Sequence, residues 1–195
     1  MISKKDLNVS RETYEKLKTY ERLLLKWQKA INLVSRETLD HYWERHVLDS
    51  LQIIPYIRGK SILDIGSGGG FPGMVLAMVE RWHVVCVDSD RRKMLFLAEV
   101  ARMTNTRAHL ITCAIEELQL NGFDTVCSRG FARVPKLLGI MMARKSEYGV
   151  FLKGVKMNTE LMEAAEEFDF KYETHPSKTN EGSYILTVHS VSRKK

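Results

Sequence analysis

The sequence predicts a doubly wound α/β fold with an antiparallel edge and a helical appendage at its N-terminus. Three observations carry this. A strand, a glycine-rich loop and a helix start follow one another in Ser61 to Gly73, SILDIGSGGGFPG. Short apolar runs then alternate with helical patterns to the end of the chain. The last two runs, Phe170–Thr174 and Tyr184–Val191, lie too close together for a crossover helix and read as paired antiparallel strands. The chain divides at Pro55 and Gly59 into residues 1–58, the appendage, and residues 59–195, the sheet domain.

Taken in order, a long helix begins after Ser10, a plausible N-cap. Leu17, Leu24 and Ile31 recur at seven-residue spacing, with Tyr20 and Trp27 between them. A second helix is expected from Thr38 to Ile54, with Leu39, Trp43, Val47 and Leu51 inward and the polar run Arg45-His46-Val47-Leu48-Asp49-Ser50 on it. Ser61–Ile65 is the first strand. Pro72 suits a first helical residue, where its missing N–H costs nothing, and the helix runs to about Glu80. His83–Val87 is a second strand ending in Asp88, and Asp90–Met103 a helix with Leu95, Phe96 and Val100 as core residues. Ala108–Thr112, Thr125–Cys127 and Gly149–Lys153 are further strands; Val134–Met142 and Thr159–Phe168 are further helices.

A chain of 195 residues with 44% hydrophobic and 28% charged residues is long enough for a substantial core and composed like a soluble globular protein. No apolar run reaches membrane-span length, and MISKKDLNVS has no signal-peptide core. Cys86, Cys113 and Cys127 are far apart, which suggests neither a metal site nor a disulfide framework and points to a reducing cytoplasm. Residues 1–60 hold twelve Lys/Arg against eight Asp/Glu, so +4 of the net charge of +6 lies there. That asymmetry suits a polyanionic substrate; a solvated helix surface with i,i+4 ion pairs would look the same. Nothing in the pattern specifies an oligomeric state.

The glycine loop admits two registers. Gly68, Gly70 and Gly73 fit the dinucleotide spacing G-x-G-x-x-G, with Asp88 at ribose distance. That register loses the tight turn after the strand. The other, Asp64-x-Gly66-x-Gly68-x-Gly70, starts at the strand end and resembles motif I of S-adenosylmethionine-dependent methyltransferases. Its glycines permit positive φ and expose bare backbone to a ligand. Asp88, closing the second strand, is placed to accept from ribose hydroxyls, though it would also serve to cap the following helix. Ile115 and Glu116 follow the third strand, and Arg129 the fourth, all at the same carboxyl edge.

Taken together the motifs resemble the RsmG (GidB) family, guanine-N7 methyltransferases of bacterial 16S ribosomal RNA. The matching residues are Lys26-Trp27-Gln28 with Asn32-Leu33, Arg45 to Leu51, Asp64 to Gly73, Asp88-Ser89 with Arg92-Lys93 and Phe96-Leu97, Phe123-Asp124, Ser128-Arg129-Gly130, and Leu152-Lys153-Gly154. Gln28, Gly69 and Gly130 depart from the usual Asn, Ala or Pro, and Ala. Beyond Gly154 only the general pattern matches. The resemblance implies a Rossmann-like SAM-dependent methyltransferase sheet, S-adenosylmethionine as cofactor, 16S rRNA or the small ribosomal subunit as partner, and neither metal nor membrane. It also implies that Gly66, Phe71, Ile115, Glu116 and Arg129 line the cofactor site, beside Asp64, Gly68, Gly70 and Asp88.

Guanine N7 carries a free lone pair and loses no proton on methylation, so alignment suffices and no general base is required. His46 and Asp49, one helical turn apart, are candidates to reach the guanine edge; the alternative is a packing network joining appendage to sheet. Arg129 and Lys153 are expected to place positive charge at the RNA-facing edge. A methyltransferase of the same cofactor acting on a small molecule or a protein, and an NAD-binding protein using the other register, are the competing readings.

Overall fold

The computed structural model describes residues 7–194. Seven strands form one sheet in the order β3-β2-β1-β4-β5-β7-β6. They are β1 (Ser61–Ile65), β2 (His83–Asp88), β3 (His109–Thr112), β4 (Thr125–Arg129), β5 (Tyr148–Lys153), β6 (Phe168–Pro176) and β7 (Tyr184–Arg193). The first five run parallel, and β7 inserts antiparallel between β5 and β6. The strand order reverses direction at β1 and β4, and it is at such a switch point that ligands enter doubly wound sheets.

Because side chains alternate along a strand, each strand feeds two cores. Ile62, Val84, Cys86, Cys127, Val150, Leu152 and Ile185 face one side. Leu63, Ile65, Val85, Val87, Val126, Phe151 and Leu186 face the other. The first side is covered by α1 (Arg11–Trp27), α4 (Gly73–Met78) and α5 (Arg91–Thr104), the second by α6 (Val134–Ala143) and α7 (Met157–Glu167).

Helix α1 starts as its sequence dictates: the Ser10 hydroxyl accepts from the Thr13 N–H at 3.0 Å. Its apolar stripe, Leu17, Tyr20 and Leu24, is fully buried in the same core as Phe71, Phe96 and Leu97. The N-terminal helices therefore complete one layer of the sheet domain. Asp90 caps α5 by accepting from the Arg92 N–H at 2.9 Å, and Asn105 ends it in the left-handed conformation. Asp124 joins the starts of β1 and β4, its Oδ2 accepting from the Lys60 and Ser61 N–H groups, each at 2.8 Å. Those two donors hold its carboxyl below the ordinary range.

Two expectations change. The second helix is not continuous from Thr38 to Ile54. A short turn, α2 (Arg36–Leu39), is followed by a π-helical segment, Trp43–Leu48, that runs into α3 (Asp49–Leu51). The wider π turn inserts one extra residue per turn and rotates the side chains that follow. It turns both His46 and Asp49 toward Arg129. Leu95, expected in the core, is 54% exposed, because α5 turns Phe96, Leu97 and Val100 inward instead.

Candidate functional site

The glycine loop leaves β1 at Gly66, which has φ of +64°, and Gly68 follows at +55°. Both are conformations that cost a side-chain-bearing residue about 1–2 kcal/mol. The Ser67 N–H donates to the Val87 carbonyl at 3.0 Å and the Gly70 N–H to the Ser67 carbonyl at 2.7 Å, which closes the turn against β2. A Cβ on Gly68 would meet no side chain and only the Gly66 carbonyl oxygen, at 3.8 Å, so its backbone is uncrowded at the sheet's carboxyl edge.

Three loop glycines and Asp64 divide by position. Gly66 and Gly68 are half-buried at the rim. Gly70 faces inward, where a Cβ would overlap the Tyr20 hydroxyl, so it is bare for packing and not for a ligand. Asp64, expected at the cofactor, is fully buried. It shares the parity of Ile62 and points beneath the loop, where Oδ2 accepts from the Gly73 N–H at 3.2 Å and Oδ1 receives Cys127 Sγ at 3.7 Å. Burial raises its carboxyl to about 7, against the pull of Ser67 and the Gly73 N–H. Asp64 thus holds the helix start from below.

Asp88 does two jobs. Oδ2 accepts from the Gly68 N–H and Oδ1 from the Asp90 N–H, each at 2.8 Å, pinning the glycine loop to the β2–α5 junction. Each oxygen keeps a second lone pair, and the residue is half-buried at the edge. Ile115 and Glu116 lie in the turn Ile115–Glu117 after β3. Ile115 packs into the second core, while Glu116 is exposed and pairs with Lys136 at 3.0 Å.

Phe71 is 3% exposed. It stacks on Tyr20 at 5.2 Å and on His46 at 4.8 Å, with the Arg129 guanidinium 5.0 Å from its ring centre. It supports the site from inside and offers little surface to a ligand. The Tyr20 hydroxyl, itself buried, donates to the Gly69 carbonyl and ties α1 to the loop. Gln28 shapes the same approach: Oε1 accepts from Leu33 N–H at 2.9 Å and Val34 N–H at 3.1 Å, laying that segment over Gly69.

Arg129 ends β4 on the side of the N-terminal helices. One Nη1 proton goes to the Arg45 carbonyl at 2.7 Å and another toward Asp49 Oδ2 at 3.3 Å; Nη2 meets His46 Nδ1 at 2.9 Å. Desolvation lowers its basicity, and Asp49 opposes that. Of the five guanidinium N–H groups, the Nε proton and one on Nη2 remain for a ligand. Asp49 Oδ1 accepts in turn from Thr179 Oγ1 at 2.6 Å and Gln52 Nε2 at 2.8 Å. His46 is 3% exposed, and burial followed by the Arg129 charge lowers its imidazole to about 3. His46 and Asp49 thus form a hydrogen-bonded network around Arg129 that joins the N-terminal helices to β4.

Lys153 lies outside that network. It ends β5 on the opposite face from Arg129, where Nζ pairs with Glu160 Oε2 at 2.5 Å and donates to the Ala132 carbonyl at 2.9 Å. It is a largely buried cation whose charge is balanced by Glu160.

Residues without a motif complete the site. The Phe131 ring covers Gly66 so closely that a Cβ there would overlap it, and Lys136 lies 5.5 Å above the ring centre. Its place two residues past Arg129, after the left-handed Gly130, is the only sequence cue. Glu160 and Thr179 had none. Among the described residues no group of three or more His, Cys, Asp or Glu is arranged to hold a metal ion, and no helix is long and apolar enough to cross a membrane. A cavity of about 1040 Å³ lined by Arg58, Asp124, Tyr148 and His189 opens at the other end of the strands, far from the glycine loop.

Residues 13–183 match the family model described as GidB, rRNA small subunit methyltransferase G. The ribosomal RNA small subunit methyltransferase G of Paramagnetospirillum magneticum is 43% identical over 189 residues, covering 95% of this chain and 92% of that one. Its counterpart in Rhodospirillum rubrum is 41% identical over 192 residues, 96% of each chain. Among solved structures, a TehB-like SAM-dependent methyltransferase from Corynebacterium glutamicum superposes with a TM-score of 0.59 at 15% identity, over 91% of this chain and 99% of that one. The Pyrococcus abyssi tRNA (uracil-54, C5)-methyltransferase in complex with S-adenosyl-L-homocysteine gives 0.56 at 18% identity, over 74% of this chain and 38% of that one. At such identities these two establish the shared fold.

Proposed function

Because the chain belongs to the rRNA small subunit methyltransferase G (GidB) family, we propose that it methylates N7 of a guanine in bacterial 16S ribosomal RNA, using S-adenosylmethionine. The observation that carries the cofactor assignment is the left-handed backbone at Gly66 and Gly68, with Gly68 pinned by Asp88 at the switch point of the sheet. The residues fit the cofactor: no side chain over Gly68, a carboxylate with lone pairs to spare, and two uncommitted guanidinium N–H groups on Arg129. Gly66, Gly68, Asp88, Ile115, Glu116 and Arg129 would hold it.

When bound, S-adenosylmethionine supplies an electrophilic methyl on a sulfonium centre. The protein's part is to hold the acceptor in line with that methyl and to exclude water. Alignment of this kind is worth on the order of 7–11 kcal/mol. No residue need take a proton, since N7 has none to give. The buried, neutral His46 and the committed Asp49 agree with that. In this reading the basic N-terminal helices, packed into the sheet's core, face the RNA, and an enzyme of bacterial ribosomal RNA works in the cytoplasm.

Labelled S-adenosylmethionine offered to small ribosomal subunits, free RNA and protein extract tests the proposal. Label should enter small-subunit RNA, with the methyl mapped to guanine N7, and the rate should fall steeply with salt as phosphate contacts are screened. Label confined to protein or to small molecules would refute it.

A further inference from the structure

A second cavity adjoins the glycine loop. It measures about 440 Å³ and is lined by Gly130–Arg133, Leu152–Lys156 and Glu160, at the carboxyl ends of β4 and β5. Phe131 is common to both: its ring lies on Gly66, and the residue lines this cavity. The rim also carries Val155, an apolar side chain that is 79% exposed. The floor is polar. The Lys153 and Glu160 side chains are 10% and 11% exposed and paired with each other.

The pair is not saturated. Glu160 Oε2 takes the Lys153 ammonium and the Val134 N–H at 3.0 Å, and among the described residues Oε1 has no partner. Lys153 Nζ uses two of its three protons, on Glu160 and on the Ala132 carbonyl. The floor therefore presents one free anionic acceptor beside one free cationic donor, in a cavity that Phe131 and Val155 also line.

We propose that this cavity receives the acceptor base and that the Glu160–Lys153 pair reads it as guanine. The inference rests on the function proposed above. Guanine's pairing edge carries two donors, N1–H and N2–H₂, next to the O6 acceptor. The donors match the Glu160 carboxylate and O6 matches the Lys153 ammonium. Adenine offers the reverse order, N6–H₂ beside N1. It meets the same floor only when turned over, which carries its N7 away from the glycine loop. Cytosine and uracil have no N7. Phe131 and Val155 supply the stacking faces that an unstacked base needs.

The test compares small-subunit RNA carrying guanosine or inosine at the target position, with the wild-type protein and with Glu160→Gln. Inosine lacks only the N2 amine and keeps N7. The wild-type protein should lose about 10- to 100-fold in kcat/KM on inosine, the scale of a hydrogen bond to a charged group. Glu160→Gln puts an N–H₂ where donors must be received. It should be slow on guanosine and no longer prefer it to inosine, with unchanged affinity for S-adenosylhomocysteine by calorimetry, which also reports folding. Equal wild-type rates on both RNAs, or an undiminished preference in Glu160→Gln, would overturn the inference while leaving the proposed function standing. If the variant does not fold, the wild-type comparison decides alone. Methyl on neither RNA removes both.

Discussion

Replacing Asp64 by Asn should remove a large pH dependence from the stability of the fold. The Asp64 carboxyl is raised from an ordinary 3.8 to about 7 by burial between β1 and α4. A raised carboxyl favours the protonated form in the native state. Its contribution is fully present below pH 3.8 and is lost as pH rises through about 7. At about 1.4 kcal/mol per unit, the wild-type protein loses on the order of 4 kcal/mol across that window on account of this one group. His46 works against it. Its imidazole falls from 6.5 to about 3, so its contribution is present above pH 6.5 and is lost as pH falls from there toward 3. The wild-type curve alone can therefore look flat. The difference between Asp64→Asn and wild type isolates the carboxyl, because His46 is common to both. Asn keeps an oxygen for the Gly73 N–H. Urea unfolding at pH 4 and pH 8 should show the variant gaining on wild type by about 4 kcal/mol between the two. A difference constant within 1 kcal/mol would mean that Asp64 is ionised in the fold and that its burial has been misjudged.

Three further substitutions probe the site. Gly66→Ala combines a left-handed backbone, φ +64°, with overlap on Phe131; S-adenosylhomocysteine affinity should drop about tenfold or more for a cost of ~1–2 kcal/mol in strain alone, read by calorimetry. Tyr20→Phe leaves the Gly69 carbonyl without its buried donor, which should cost about 1–3 kcal/mol in urea unfolding. Asp49→Ala strips Arg129 of its carboxylate; stranding a largely buried charge costs roughly 3–5 kcal/mol, and cofactor affinity should fall with it, whereas Asp49→Asn should retain part of both. Full affinity in Asp49→Ala would remove the network from the account.

The sheet, its edge hairpin and the glycine loop were legible because each is a local pattern. Apolar runs of strand length, a turn that only glycine tolerates and an acid at the strand end need no tertiary knowledge. What failed was direction. Arg129 and Lys153 end neighbouring strands, with Cys127 opposite Val150 and Arg129 opposite Leu152 in the register. Arg129 therefore faces α3 and Lys153 faces α7, a parity that becomes readable only once the pairing is known. Asp64 was misplaced for the same reason: one residue from Ile65, it points down while the loop turns outward. The π turn at Trp43–Leu48 has no composition cue, and neither does the reach of Thr179 across 130 residues of sequence to Asp49. Glu160, in an ordinary amphipathic helix, carries no cue of its own.

The structure of the protein with S-adenosylhomocysteine bound tests the central claim most directly. The ligand should lie against the Gly66 and Gly68 backbone, with Asp88 on its ribose and the Phe131 ring shifted off Gly66. Electron density for it at the opposite strand ends, in the cavity around Arg58 and Tyr148, with the Gly66–Phe131 contact intact, would contradict the account.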